Sequence, residues 1–168
     1  MAAEMDVTSL PHATLARTDH RCVIGMLVHR VAAATDPDRP SLVADALDRM
    51  LRSGHFEGCC VPRYLALAPE RAPREVQIPI DKSGDVAARV IVWPIGSRDT
   101  DHPHTDGWTV FVPVRGELAT IERTDDGSRV AALAPRQPIV LRPEEGIRHL
   151  VRNAGSSPAL SIHVSGRI

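Results

Sequence analysis

The sequence has no excess of either charge: 20 Lys and Arg stand against 21 Asp and Glu, a formal net charge of -1 at pH 7. That balance leaves no electrostatic footprint for nucleic acid or for an anionic membrane surface, so neither is an expected partner. Long apolar runs are missing as well. The longest, CVIGMLV (22–28) and VIVWPI (90–95), fall far short of the roughly 20 residues a membrane-spanning helix needs. The opening stretch MAAEMDVTSLPHATLARTDH carries acids and has no basic segment followed by an apolar one, which is not the layout of a secretion signal. A cytoplasmic location is the expectation. Cysteine is scarce too: Cys22, Cys59 and Cys60 form no CxxC pattern, and an odd count argues against a disulfide framework. The Cys59 and Cys60 pair reads as reduced, buried structural thiols.

What is present suffices for a core, since 43% of residues are hydrophobic, and one domain spanning residues 1–168 is expected. The apolar pattern changes once. Up to about residue 68 it has a helical period. Val23, Leu27 and Val31 recur at i+4 beside Ile24 and Val28, with Asp19 placed to cap that helix. Further on, Leu42, Val43, Ala46, Leu47, Met50 and Leu51 form a second stripe, with Pro40 near its start and Gly54 at its end. From residue 74 the text becomes REVQIPI, AARVIVW, WTVFVPV, LATIER, PIVL, HLVRN and ALSIHV, separated by turn signals such as DKSGD, DDGS and NAGSSP. Seven short strands of this kind predict a mainly β fold, a small antiparallel barrel or sandwich preceded by a helical segment.

Half of the eight histidines lie in this second part. His102 and His104 sit at the entrance to the strand GWTVFVPV, and residues two apart on a strand point to one face. His149 opens the strand HLVRN, and His163 lies within SIHVS. An isolated HxH pair is more often a surface or hydrogen-bonded pair than a ligand pair. The surroundings alter that weighting.

Gly96, His102, His104 and Gly116 fall on a pattern of glycine, five residues, HxH and a later glycine. Pro143, Gly146, His149 and Asn153 fall on a second pattern of proline, glycine, histidine and asparagine. In this the chain, from about Trp93 onward, resembles the two motifs of the cupin superfamily, which implies a small β-barrel, or double-stranded β-helix. Thr109 stands where the first motif has its metal-binding glutamate. Three-histidine sites lacking that glutamate are similar to those of the thiol dioxygenases, the cysteine dioxygenase family. HPHTDGWTVFVPVRGEL, GIRHLVRN and PALSIHVSG resemble that family's HxHTDS, GLHRVEN and AVSLHLYSP segments.

The resemblance implies Fe(II) held by His102, His104 and His149, O2 as co-substrate and a small thiol, cysteine or a relative, as the partner. Three neutral imidazoles leave the metal its full charge and open positions, a set suited to Fe(II), though Ni or Zn also accept imidazole. Ser161 and His163 occupy the serine and histidine of the family's serine, histidine, tyrosine relay, and Ser165 stands where the tyrosine belongs. Thr109 also aligns with the cysteine that animal members link to that tyrosine. Thr109, Trp93 and Trp108 are candidate pocket residues. For a carboxylate on the substrate, Arg74 on the face of Val76, Ile78 and Ile80 is the candidate, with Arg63 or Arg148 as alternatives. An exposed arginine at a strand start explains Arg74 equally well. A homodimer is compatible with the sequence. Rival readings are a divergent cysteine-oxidising cupin with another product, decarboxylated or S–N bonded, a non-thiol cupin enzyme, and a ligand-binding cupin without turnover.

Overall fold

A computed structural model describes residues 38–68, 71–78, 86–103, 107–124, 126–142 and 148–167. The helix expected around Val23 to Val31, Cys22, the ligand candidate His104 and the turn carrying Pro143 and Gly146 lie outside the described residues. Helix α1 (Arg39–Arg52) carries Pro40 in its first turn and buries Val43, Ala46, Leu47, Met50 and Leu51 of the expected stripe, while Leu42 is exposed. The chain leaves it through Gly54, whose φ is +71°, the left-handed exit that a helix end favours. Two short helices follow, α2 (His55–Cys59) and α3 (Val61–Leu65). Cys60, between them, is half-buried against the core.

Among the described residues, nine strands then form two sheets. They are β1 (Arg74–Ile78), β2 (Val86–Trp93), β3 (His102–Pro103), β4 (Trp108–Arg115), β5 (Leu118–Thr124), β6 (Gly127–Ala132), β7 (Ile139–Leu141), β8 (Arg148–Asn153) and β9 (Ala159–Gly166). One sheet has the order β1-β2-β9-β4-β7 and the other β3-β8-β5-β6. Every pairing is antiparallel. Eight strands, β2 to β9, change sheet at every step except β5 to β6, the two-Greek-key order of a jelly roll, the double-stranded β-helix. Seven of the nine strands match the expected runs. The other two were hidden: β3 is only two residues long, and β6 is an edge strand whose residues are mostly exposed, so it carries no apolar alternation.

The first sheet is covered on both faces. Its outer face, with Val76, Ile78, Ala88, Val90, Val92, Val110, Val112, Ile162 and Val164, packs on Val43, Leu47, Met50, Phe56 and Val61 of the helices. Its inner face, with Ile91, Trp93, Phe111 and Ala159, meets Leu118 and Val151 of the second sheet. Strands buried on both sides lose the alternation of a half-solvated strand. In β4 every residue from Trp108 to Val114 is accordingly buried. Among the described residues no helix is long and apolar enough to cross a membrane.

Candidate metal and ligand site

The space between the two sheets contains a cavity of about 1020 Å³. The register of the strands decides which side chains reach it. In the second sheet His102 of β3 is the direct partner of His149 of β8, which is in turn the partner of Glu122 of β5. In the first sheet Arg89 of β2 is the partner of His163 of β9, which faces Phe111 of β4. All six line the cavity. Sequence separation therefore hides two short rows of chemistry that hydrogen-bonded pairing assembles.

The two imidazoles of the second sheet have ring centroids 4.7 Å apart at an interplanar angle of 64°. Nδ1 of His102 lies 2.8 Å from the carbonyl oxygen of Thr100. A carbonyl only accepts, so the proton sits on Nδ1 and Nε2 is the ring nitrogen that carries the lone pair, the atom a metal would take. Asp99 reinforces this arrangement, with Oδ2 4.0 Å from the same nitrogen and Oδ1 accepting the Val151 N–H at 2.6 Å. Burial pushes the Asp99 carboxyl above its ordinary range, against the lowering effects of the Val151 N–H and of His102. Carboxylate or carbonyl partners on the far nitrogen are what hold ligating histidines in orientation. His102 and His149 thus fit a divalent metal, and His104, outside the described residues, is the third ligand the sequence expects. Among the described residues no group of three His, Cys, Asp or Glu side chains is gathered closely enough to hold a metal.

On the facing sheet, Nε1 of Trp93 donates to Oγ of Ser161 at 2.8 Å, and Ser161 Oγ lies 3.0 Å from Nε2 of His163. Phe111 packs edge-on against His163, with centroids 4.6 Å apart. Ser161 and Trp93 are fully buried. Trp93 thus lines the cavity, as expected, and also ends a hydrogen-bonded chain that the sequence did not reveal. Thr109 lines the cavity too, and its Oγ1 lies 2.9 Å from Oγ of Ser165, its partner across β4 and β9. The residues that stand where the family has cysteine and tyrosine are therefore neighbours, joined by a hydrogen bond.

Four of the residues considered for the pocket lie elsewhere in the structure. Arg74 shares the parity of Val76 and Ile78, but that face of β1 meets the helices, and Arg74 reaches the Leu67 carbonyl instead of the cavity. Trp108 likewise belongs to the outer core. Neither Arg63, on α3, nor Arg148, which binds Asp101 at the rim of β3, lines the cavity. The arginine that does so from a strand interior is Arg89, whose Nη1 lies 3.5 Å from Oε2 of Glu75. It was legible in principle: in AARVIVW, Arg89 shares parity with Ile91 and Trp93.

The motif glycines and asparagine serve the frame. Gly96 and Gly116 have φ of +70° and +81°, where a side chain is strained. A Cβ on Gly116 would also lie 2.6 Å from Cβ of Ala159. Nδ2 of Asn153 donates to the carbonyls of Trp93, Pro94 and Ser157, and its Oδ1 accepts the Gly155 N–H, fastening the end of β8 to the end of β2.

No known family profile matches the chain, and no curated protein does. Solved structures do. The cupin domain of Schizosaccharomyces pombe Cnp3 is similar at 11% identity and TM-score 0.49, over 57% of this chain and 65% of that one. A cupin domain from Bordetella pertussis is similar at 17% identity and TM-score 0.46, over 60% of this chain and 98% of that one. An oxalate oxidase in complex with the substrate analogue glycolate is similar at 15% identity and TM-score 0.47, over 56% of this chain and 51% of that one. The chain thus spans under two thirds of the fission-yeast domain and about half of the oxidase. The strand order of the two sheets, with histidines facing the space between them, is the cupin fold.

Proposed function

We propose that this protein is a non-haem Fe(II)-dependent oxygenase that converts a small thiol, cysteine or a relative, to its sulfinate. The observation that carries the reading is the cross-strand pair His102 and His149, whose first member is held at Nδ1 by the Thr100 carbonyl. His104, two residues on in the sequence, completes the ligand set. A bound Fe(II) supplies O2 activation and lowers the pKa of a coordinated thiol. The balance is R–SH plus O2 to R–SO2H: both oxygen atoms end on sulfur, whose four-electron oxidation matches the reduction of O2.

The chain's own side chains orient the reactants. Arg89 binds an anionic group of the substrate, and His163, steadied by Ser161 and Phe111, presents an imidazole on the opposite wall from His102 and His149. Ile91, Phe111 and Val151 give the space between an apolar lining. One observation favours the divergent reading, in which a different product leaves: the relay tyrosine is replaced by Ser165, and that hydroxyl is joined to Thr109.

The test is anaerobic loading with Fe(II), then oxygen uptake with L-cysteine, 3-mercaptopropionate and cysteamine, with mass spectrometry of the products. Uptake with a product heavier by the mass of O2 supports thiol dioxygenation. Uptake with any other product supports the divergent enzyme, and binding without uptake overturns both in favour of a ligand-binding role.

A further inference from the structure

We infer that the cavity takes an amphipathic anion larger than a free amino acid, its anionic group against Arg89 and its apolar body along Phe111, Leu133, Ile139 and Leu141. The inference rests on the oxygenase reading only for the reacting end of that ligand, which meets the histidines.

The volume is the first support. A cavity of about 1020 Å³ lies at the top of the roughly 300–1,000 Å³ range of pockets that enclose drug-sized ligands. A free amino acid fills a small part of it. Polarity is the second support: Arg89 and the four-residue group around it lie toward one side, although Ile91 and Trp93 of β2 line that side too and Thr109 of β4 and Glu122 of β5 add polar atoms further on. Glu75, Arg89 and His163 come from β1, β2 and β9 at one side of the first sheet, with His102 and His149 from β3 and β8 of the second. At the other side β4 and β7 contribute Phe111, Ile139 and Leu141, and the end of β6 contributes Ala131 and the adjoining Leu133.

The third support is incomplete cover. Leu133, Ile139 and Leu141 pack on the inner core and remain only half-buried while lining the cavity. Apolar surface of this kind gains roughly 25 cal/mol for each Å² a ligand removes from water. At the polar end, the guanidinium of Arg89 has five N–H donors, and one long contact of 3.5 Å with Glu75 leaves donors for a second carboxylate. Within the described chain, anion recognition at Arg89 of β2 and apolar contact at Ile139 and Leu141 of β7 therefore come from opposite sides of β9, with Phe111 of β4 between them.

The test is calorimetric titration of the full chain with N-acetyl-, N-butanoyl-, N-hexanoyl- and N-octanoylglycine, carboxylates of rising chain length that carry no thiol. Binding of these probes needs neither metal nor O2, so a failed oxygenase reading would appear in oxygen uptake and not here. Affinity is expected to rise with length, by up to roughly fourfold for each methylene fully buried. Arg89→Gln should weaken every member by about tenfold. Leu141→Asp, and independently Leu133→Asn as the milder change, should flatten the dependence on length. Absence of binding, affinity that does not change with length, or an unchanged length dependence in the folded wall variants would each overturn the inference.

Discussion

Ser161 Oγ stands between Nε1 of Trp93, 2.8 Å away, and Nε2 of His163, 3.0 Å away. An indole N–H only donates, so Ser161 accepts from Trp93, which occupies one of its lone pairs and favours directing its own hydrogen to His163. With that polarity a neutral His163 carries its proton on Nδ1. Trp93→Phe removes the donor that sets this polarity. The variant should lose about 1–2 kcal/mol of stability, and ¹⁵N shifts of the His163 ring should move from one tautomer to a mixture. Unchanged shifts would show that Trp93 only packs.

The two arginines on neighbouring strands separate the faces of the first sheet. Arg89→Ala should raise KM for a carboxylate-bearing substrate by about tenfold or more, since a hydrogen-bonded charge pair is worth roughly 1.5–3 kcal/mol. Arg74→Ala, on the helix-facing side, should leave KM unchanged. Steady-state oxygen uptake on both variants measures the difference. The reverse pattern would return the substrate carboxylate to Arg74.

Asp99 acts on His102 and on stability in opposite senses. Burial raises its native pKa above 3.8, so through the window above that value the folded protein holds a proton the unfolded chain has lost. Stability contributed by this group therefore falls as pH rises through the window. In metal-free protein, Asp99→Asn should flatten that part of the curve of urea midpoint against pH, while an amide oxygen can still accept the Val151 N–H. Metal affinity should fall by about 10- to 100-fold in the same variant, the usual effect of losing such a partner. Competitive titration with a chromophoric chelator reads that change.

His149→Ala removes one member of the cross-strand pair with His102. Elemental analysis after Fe(II) loading should show loss of stoichiometric iron, with the melting transition of the metal-free protein little changed, because the truncation is at the cavity wall. Full iron occupancy would remove His149 from the ligand set.

Gly116→Val tests a close approach between β4 and β9. The added side chain meets both a φ of +81° and Ala159 at the start of β9. A destabilisation of roughly 2 kcal/mol or more is expected from thermal melts. Gly58, where a Cβ meets nothing within 4 Å, gives the matching control: Gly58→Ala should be neutral or slightly stabilising.

The sequence carried the histidine frame because turns and β-branched runs mark strand ends, and α1 because its stripe, proline and terminal glycine agree. It did not carry the direction of β1. Val76 and Ile78 mark a buried face, yet in a sheet covered on both sides apolar parity cannot tell the helix side from the cavity side. That is why the sequence offers Arg74 as the carboxylate candidate and leaves Arg89 unremarked. The pairings of His149 with Glu122 and of Thr109 with Ser165 depend on strands far apart in sequence. Register of that kind is fixed by the folded sheet and not by any local signal.

Strand β9 lies between β2 and β4, although both precede it in the chain. Neither can complete its ladder until residues 159–166 have emerged and threaded between them. Contacts of such long sequence separation slow folding. They also make the strand carrying Ser161 and His163 the keystone of assembly: the same segment that furnishes one wall of the cavity decides when the barrel can close, so a nascent chain acquires its shape and this wall in a single late event.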